Sequence, residues 1–184
     1  MLVAELDFAL PPELIAQDPL PRGTSRLLVV HRNRATWSEA TIADLPSLLA
    51  PGDLMVANDT RVFPARLVGR RDPSGGAAEC LLLNETGPGE WQALVHPGQK
   101  LKPGARLVFE DPVRGAGIRV TAEVLESRFF GRRLIRLEAA GASVEAAIDA
   151  LGHTPLPPYI RRPDRPDDRE PILAVSSFPA CSMC

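Results

Sequence analysis

GDLMVANDTRVFPARL, residues 52–67, is the stretch that decides the fold of this chain. A Gly-Asp turn opens it, and the unbroken apolar run 54–57 follows. A short apolar run between turn residues is typical of a strand that is buried on both faces. An amide, a carboxylate, a hydroxyl and a guanidinium come next, on Asn58, Asp59, Thr60 and Arg61. Since ligands of such sheets bind beyond the carboxyl ends of the strands, we expect these four side chains at the working edge of the protein.

The composition of the 184 residues is that of a folded chain without an overall basic field. Apolar residues make up 45% and the net charge is -2, which argues against a strongly basic nucleic-acid binder, although a neutral sum can hide a local patch. Arginine supplies nearly all of the positive charge, since the only lysines are Lys100 and Lys102. The first residues lack the cationic start of a secretion signal, no run has membrane-spanning length, and three cysteines make no disulfide framework. We therefore expect a cytoplasmic protein that does not cross a membrane.

The residues before the opening stretch predict a small α/β segment. Residues 26–31 and 35–41 have strand character on either side of a turn. Asp44 is a candidate cap for a short helix that ends at residue 49, and this helix leads the chain into the apolar run.

Short β-rich runs between glycine and proline turns follow, without a convincing helical pattern. This spacing predicts a small antiparallel barrel or sandwich, which forms a separate module. The runs are 66–71, 78–84, 90–96, 106–110, 118–126 and 132–138.

Helical periodicity returns at Ser143, a candidate N-cap. Apolar residues recur at 144, 147, 148 and 151, which is a helical spacing. Gly152 follows at the position where a helix often ends with a residue in the left-handed backbone conformation. The prolines of residues 153–160 then hold the chain extended. The order of elements predicts a core domain at 1–65 and 141–170, the second segment being incomplete, with an antiparallel β-barrel inserted at 66–140. The predicted fold class is α/β plus all-β.

Two interpretations are open for the polar residues after the apolar run. Asp59 can hold a ribose hydroxyl or act as a base, and Arg61 can pair with a phosphate or a carboxylate. Alternatively, Asp59 forms an Asx-type turn and Arg61 is its salt-bridge partner.

His153 and Tyr159 are the candidates of the proline-rich segment. His153 follows a helix C-terminus, where it can act as a general acid, a base or a phosphate contact, or simply cap the last carbonyls. Tyr159, the only tyrosine, can stack on a base or lie in the core.

Arginines cluster on the last strands of the predicted β module. On an RNA-binding barrel, Arg128, Arg132 and Arg133 would follow the phosphate backbone, whereas on a solvated sheet face they need no ligand. Cys181 and Cys184 have the spacing of metal ligands, but no second pair and no histidine lie nearby in the sequence, so we expect no metal site.

Three motifs occur in a fixed order along the chain. The first is FALPPELIAQDPLP (8–21) with SRLLVV (25–30), the second is the opening stretch, and the third is LGHTPLPPYI (151–160) with DRE (168–170). Together they resemble the S-adenosylmethionine:tRNA ribosyltransferase-isomerase family of the queuosine pathway. The resemblance runs from Phe8 to Glu170, and three motifs with compatible spacing are more specific than any one of them.

The resemblance implies an α/β-barrel-like core that an antiparallel β-barrel interrupts. It implies a pentosyltransferase and isomerase that moves the ribosyl part of S-adenosylmethionine to 7-aminomethyl-7-deazaguanine in the anticodon loop of a tRNA. The product is epoxyqueuosine-tRNA, and adenine and methionine leave. S-adenosylmethionine is then a consumed substrate, and we expect no cofactor and a monomeric enzyme.

For that reaction we expect Asp59 and His153 to be catalytic. Arg128, Arg132 and Arg133 are the expected RNA contacts. The expected substrate contacts are Asn58, Thr60, Arg61 and Tyr159.

The chain departs from the family pattern at two places. The family continues after residue 170 with a further half of the core, whereas residues 171–184 match nothing expected. Our hypothesis is an aberrant, out-of-frame tail on a truncated and inactive chain. Residues 75–78 precede Glu79 without the lysine that the family carries there, so Glu79 is given no role. The alternatives to an enzyme are a non-catalytic RNA-binding β-barrel fragment and a merely structural fragment.

Overall fold

The computed structural model describes residues 2–21, 23–57, 62–169 and 175–178. Contacts within the chain divide it into two units. The N-terminal unit comprises Met1–Asp59, Pro158–Arg162 and Ile172–Cys184, and the barrel unit comprises Thr60–Pro157 and Pro163–Pro171. Across the described ranges, no helix is long and apolar enough to cross a membrane.

Strands dominate both units, and the helices are short. The strands are β1 (Arg26–His31), β2 (Thr36–Thr41), β3 (Leu54–Ala57), β4 (Arg66–Asp72), β5 (Ala77–Gly87), β6 (Glu90–His96), β7 (Arg106–Phe109), β8 (Arg119–Ser127), β9 (Arg132–Ala140) and β10 (Val175–Phe178). The α-helices are α1 (Leu45–Leu48) and α2 (Val144–Leu151). Single 3₁₀ turns occur at Val3–Leu6, Pro12–Leu14, Ile42–Asp44, Gly98–Lys100, Phe129–Gly131 and Pro166–Arg169.

The N-terminal unit contains two small antiparallel sheets. Strands β1 and β2 form a hairpin, and β3 pairs with β10. Helix α1 lies between β2 and β3 in the chain, so the predicted order of strand, strand, helix and strand is confirmed.

The burial that the sequence predicts for β3 is not found. Leu54, Met55 and Val56 are 61%, 50% and 49% exposed. A strand becomes buried on both faces only when strands flank it and further layers cover it. Within the described part of the chain β3 has one neighbour, β10, so its side chains stay accessible. Residues 58–61, the predicted working edge, lie outside the described residues.

The barrel unit is built on a closed six-stranded antiparallel barrel. Its strand order is β4-β5-β6-β9-β8-β7, and β7 pairs with β4 to close the ring. All six predicted strands are present with small shifts at their ends, and closure leaves no strand edge unpaired. With helices and strands before and after the barrel, the fold class is α/β plus all-β, as predicted.

Alternating side chains of the six strands fill the barrel. Gly69 on β4 is required where the ring closes, because a Cβ there would lie 2.2 Å from the carbonyl oxygen of Val108 and 2.6 Å from the ring of Phe109. The strand residues of the barrel core are Leu67, Ala78, Cys80, Leu82, Ala93, Leu107, Phe109, Val120, Ala122, Val124, Ile135 and Leu137.

Helix α2 begins as the sequence predicts and packs on the barrel. The hydroxyl of Ser143 accepts a hydrogen bond from the amide of Ala146 at 3.2 Å, which is the predicted N-cap. Ala147, Ile148 and Leu151 are buried in the same cluster as the barrel core. The periodic face of α2 therefore completes that core.

The end of α2 differs from the prediction. Gly152 has φ -72° and ψ 146°, an extended conformation instead of the expected left-handed one. A Cβ at this position would lie 2.1 Å from the carbonyl oxygen of Pro64 and 2.5 Å from that of Ile148. Glycine is needed here because two backbone segments approach each other closely.

Candidate functional site

The chain that leaves the signature 58–61 runs alongside the histidine motif. The amide of Val62 donates to the carbonyl of Arg169 at 3.1 Å, and Arg66 forms an antiparallel bridge with His153. In that bridge the amide of Arg66 donates to the His153 carbonyl at 3.1 Å, and the His153 amide donates back at 2.8 Å. Two motifs that are far apart in sequence thus meet through their backbones.

His153 forms a close pair with Asp164. The distance from His153 Nδ1 to Asp164 Oδ1 is 2.7 Å, and the two side chains are 28% and 8% exposed. An ionised carboxylate only accepts hydrogen bonds, so the proton of a neutral imidazole lies on Nδ1. The other nitrogen, Nε2, makes no hydrogen bond within the described residues and is free to exchange a proton.

The pKa of Asp164 is lowered, although burial by itself raises it. Three donors outweigh burial: His153, the amide of Thr154 and the guanidinium of Arg114. The Thr154 amide lies 3.1 Å and Arg114 Nη2 lies 3.2 Å from the second carboxylate oxygen, Oδ2. Asp164 therefore stays ionised at neutral pH and acts as a hydrogen-bond acceptor for His153.

Arginines, and not the imidazole, cap the end of helix α2. Arg114 Nη1 donates to the Gly152 carbonyl at 3.0 Å. Arg169 donates to the same carbonyl at 3.3 Å, to the Asp149 carbonyl at 2.9 Å and to the Asp149 carboxylate at 2.9 Å. Cations are stabilised at the negative, C-terminal end of a helix. Because these arginines bind the helix carbonyls, the ring of His153 can hydrogen-bond to Asp164 instead. The hydroxyl of the neighbouring Thr154 is buried and has no hydrogen-bond partner in the part of the chain described.

A groove of about 310 Å³ lies on the barrel beside this site. Arg66 and Glu79 face each other in it through two hydrogen bonds, at 2.7 and 3.1 Å. The hydrogen bond from Arg66 lowers the pKa of Glu79, and the charges of His96 and His153 act in the same direction. The groove thus combines a paired anion and cation with apolar walls. Its lining is Arg66, Glu79, Leu81, Leu94, Val95, His96, Pro155 and Leu156.

A larger groove, about 360 Å³, lies on the outer face of the barrel and carries balanced charges. Cross-strand neighbours of opposite charge follow each other there, with Asp72 opposite Arg106, Arg106 opposite Glu123, and Glu123 opposite Arg136. Opposite charges across strands stabilise a sheet modestly, and this face needs no ligand to explain it.

Tyr159 belongs to the N-terminal unit and lies on its surface. The residue is 55% exposed, so it is not part of a core. Its carbonyl accepts from the side-chain amide of Gln17 at 3.0 Å, and the Gln17 oxygen accepts from the amide of Arg161 at 2.8 Å. This anchoring holds the backbone and leaves the ring accessible.

The three predicted RNA-contacting arginines lie around the turn between β8 and β9. Arg128 pairs with Glu126 at 3.1 Å. Arg133 donates to the carbonyls of Gly98 and Leu101 at 2.9 and 3.0 Å. The side chain of Arg132 makes no hydrogen bond or ion pair with any described residue.

Sequence reasoning missed the partners of His153. Asp164 lies in RRPDRPDDRE, a run of balanced charge in which nothing local distinguishes it from Asp167 or Asp168. Arg114 lies in a loop of the barrel, 39 positions before the histidine in the chain. Only the fold brings these side chains together.

Comparison with known proteins identifies the family. The family model described as queuosine biosynthesis protein matches residues 3–175. The S-adenosylmethionine:tRNA ribosyltransferase-isomerase of Solibacter usitatus is 43% identical over 95% of this chain and 53% of its own, and that of Symbiobacterium thermophilum is 44% identical over 87% and 45%. A solved S-adenosylmethionine tRNA ribosyltransferase from Thermotoga maritima matches 81% of this chain and 48% of its own at 32% identity, with a TM-score of 0.38.

The match is long in this chain and partial in the relatives. The chain spans about half the length of the curated relatives it matches. The family model, in contrast, covers nearly the whole of residues 1–184. The chain belongs to the queuosine biosynthesis protein family.

Proposed function

We propose that this chain takes part in transferring and isomerising the ribosyl moiety of S-adenosylmethionine onto a tRNA. The acceptor is 7-aminomethyl-7-deazaguanine in the anticodon loop, the product is epoxyqueuosine-tRNA, and adenine and methionine are released. Membership of the family supports the proposal, as do relatives that carry the name of this activity. The proposal includes S-adenosylmethionine as a consumed substrate, no added cofactor, and a monomer that acts in the cytoplasm.

The single observation that carries the proposal is the His153–Asp164 pair. The sulfonium of S-adenosylmethionine acidifies the neighbouring ribose carbon, so a base can start the elimination of adenine, after which the acceptor amine attacks. A histidine with a carboxylate on Nδ1 and an accessible Nε2 is suited to moving such protons. Asp164 holds the ring in one orientation, while Arg114 and the Thr154 amide hold Asp164.

The signature residues keep their own roles in the proposal. Asp59 is assigned to proton transfer or to a ribose hydroxyl, and Arg61 to a carboxylate or phosphate of a substrate. Asn58 and Thr60 position them, and Tyr159 contacts the nucleoside. Replacing the aspartate of this motif by alanine in a full-length relative is expected to reduce turnover strongly without unfolding the enzyme, and turnover at the wild-type rate would remove it from the site.

Adenine release tests the role of His153. Purified chain is incubated with S-adenosylmethionine and tRNA that carries the deazaguanine, and adenine is measured by chromatography. The variant H153A is expected to release adenine about 10²–10⁴-fold more slowly, which is the usual contribution of a positioned acid or base. His31, an exposed residue at the end of β1, provides the control variant H31A, which should match the unmodified chain. Equal and measurable rates for H153A and H31A would reject the assignment of His153, whereas no release by the unmodified chain would support the hypothesis of a truncated and inactive chain.

The alternative function is a non-catalytic RNA-binding barrel. The observation in its favour is that the barrel closes on itself and has its own buried core. A gel-shift experiment with the same tRNA distinguishes the two: binding without adenine release supports the alternative, whereas release of adenine supports the enzyme. A chain that neither binds tRNA nor releases adenine would contradict both.

A further inference from the structure

The turn between β8 and β9 exposes two adjacent aromatic rings. Phe129 and Phe130 are 88% and 93% exposed, whereas Phe109, inside the same barrel, is 1% exposed. An isolated exposed apolar side chain is common and needs no explanation. Here two neighbouring phenylalanines are exposed at the end of a hairpin, and the fold needs neither ring for a contact. We call this pair the aromatic tip.

The backbone holds the aromatic tip in an unusual conformation. Phe130 has φ 57° and ψ 35°, a left-handed conformation that bulky residues seldom adopt. The amide of Arg128 donates to the carbonyl of Arg132 at 2.9 Å and closes the turn below it. Glycine or asparagine would adopt this conformation at less cost, so the aromatic side chain at this position is unfavourable for folding alone.

Cationic residues lie on the hairpin that carries the aromatic tip and on the loop that is hydrogen-bonded to its base. Arg133 donates to the carbonyls of Gly98 and Leu101, so the loop of residues 97–105 is fastened to the base of the hairpin. That loop contains both lysines of the chain, Lys100 and Lys102, and both are exposed. Neither 97–105 nor 127–133 contains an acidic residue.

The nearest carboxylate neutralises only part of this charge. Glu126 pairs with Arg128, but the guanidinium of Arg132 has no partner among the described residues. The lysines likewise make no ion pair within that part of the chain. The tip therefore combines two bare aromatic rings with a local excess of cations.

From this combination we propose that the aromatic tip binds unpaired RNA, with bases stacked on Phe129 and Phe130 and phosphates on Arg132, Lys100 and Lys102. Aromatic rings beside cations are the usual surface for single-stranded nucleic acid, because every base has a face that stacks and every nucleotide carries a phosphate. An apolar protein partner would offer no anionic group to pair with these cations. The inference rests on the proposed function in that RNA is a partner of the chain, and it adds which surface binds the RNA and in which form.

Fluorescence anisotropy of the full chain with labelled RNA tests the inference. The probes are a short unstructured oligoribonucleotide and the duplex of the same sequence. The variant F129A/F130A is expected to lose affinity for the single strand by a factor of at least about five for each lost ring. Its affinity for the duplex should change little. Val113, which is 90% exposed on another turn of the barrel unit, provides the control variant V113A, which should bind like the unmodified chain.

Two further variants separate stacking and charge from other causes. F129L/F130L keeps apolar tips without aromatic faces, so it should bind the single strand as weakly as the alanine variant. R132Q should lower the salt dependence of binding by the equivalent of about one phosphate contact. F130G relieves the strain of the left-handed conformation and should fold at least as well as the unmodified chain by circular dichroism. Weaker single-strand binding by this variant would therefore be due to the lost ring and not to misfolding.

The outcomes distinguish this inference from the proposed function. The aromatic tip would be overturned as a stacking surface if F129A/F130A kept its single-strand affinity or if F129L/F130L bound with full affinity. Neither result would bear on the proposed enzyme, which adenine release tests separately. Absence of any RNA binding by the unmodified chain would overturn the inference together with the RNA partnership. Concentration-dependent self-association that the alanine variant abolishes would show that a second copy covers the tip instead.

Discussion

At the scale of single residues, Asp164 determines what His153 can do. The Asp164 side chain is only 8% exposed, and this burial by itself raises the pKa of the carboxyl group. Three donors from two parts of the barrel unit reverse that direction, namely the adjacent His153 side chain and Thr154 amide, and the guanidinium of Arg114. The ionised carboxylate then orients the imidazole through Nδ1, and Nε2 is left without a hydrogen-bond partner among the described residues.

Replacing this carboxylate tests whether it stabilises the barrel unit. The variant D164N leaves Arg114 and His153 without their anionic acceptor, so we expect the free energy of unfolding at neutral pH to fall by about 2–4 kcal/mol. Urea unfolding followed by circular dichroism measures this loss. The matched control is D167N, a carboxylate of the same segment that is exposed to solvent, for which a change within about 0.5 kcal/mol is expected.

The pH dependence has a definite sign. The pKa of Asp164 in the folded protein lies below its ordinary value of 3.8, so in acid the unfolded chain binds more protons than the folded one. The stabilisation is fully present above pH 3.8 and is lost as the pH falls through the lower pKa of the folded state. The difference in stability between the unmodified chain and D164N should therefore shrink below pH 3.8, and a difference that grows in acid would contradict the assignment.

At the scale of elements, closure of the barrel depends on a glycine in β4. The Cβ of an alanine at position 69 would overlap the Val108 carbonyl and the Phe109 ring, both of which belong to the strand that closes the ring. We expect G69A to cost about 1–3 kcal/mol, because the backbone of β7 must move away or the largest core side chain must shift. Gly87, at the end of β5, has no atom within 4 Å of the position that a Cβ would take, and its φ is ordinary, so G87A is the control. Equal unfolding midpoints for the two variants would show that the strands adjust freely.

The elements that the sequence predicts well are those with a local cause. The six barrel strands follow from β-rich runs bounded by turns, and Ser143 caps α2 because its hydroxyl lies three residues before an amide that needs an acceptor. The predicted burial of β3 is wrong because burial depends on neighbouring strands, which an apolar run does not specify. The left-handed conformation predicted for Gly152 is also wrong, since the approach of Pro64, nearly ninety positions away, is what requires glycine there.

The candidate site shows the same division between local and distant causes. His153 stands out in the sequence because a reactive side chain follows a helix end. Asp164 and Arg114 do not stand out, because their role exists only once the barrel loop and the segment after the proline-rich stretch come together. Phe129 and Phe130 are also ordinary in the sequence, and only their exposure in the folded chain makes them conspicuous.

At the scale of the whole molecule, the two units differ in how much they bury. Every described buried residue belongs to the barrel unit, while no described residue of the N-terminal unit is buried. Burial of apolar surface is the main force that stabilises a folded chain. The barrel unit should therefore withstand denaturant better than the N-terminal unit.

The two tryptophans report on the two units separately, because Trp37 lies on β2 and Trp91 lies on β6. In W37F the remaining Trp91, which stacks on Phe63 with ring centroids 5.7 Å apart, should show one cooperative transition in urea. In W91F the remaining Trp37, which is 65% exposed, should change its fluorescence at lower urea concentration. Coincident transitions of the two signals would mean that the chain unfolds as one unit.

The thiol of Cys80 provides an independent measure of when the barrel opens. It is fully buried in the barrel core, and burial raises its pKa to about 12, so a thiol reagent at about pH 8 meets neither an accessible nor an ionised sulfur. In a C181S/C184S background, modification of Cys80 should begin only at the urea concentration at which the Trp91 signal changes. Rapid modification without urea would show that the barrel opens locally around β5, and modification that follows Trp37 would show that the stability of the barrel depends on the N-terminal unit. Modification together with Trp91, after the Trp37 change, is the expected result, because the barrel holds its own core.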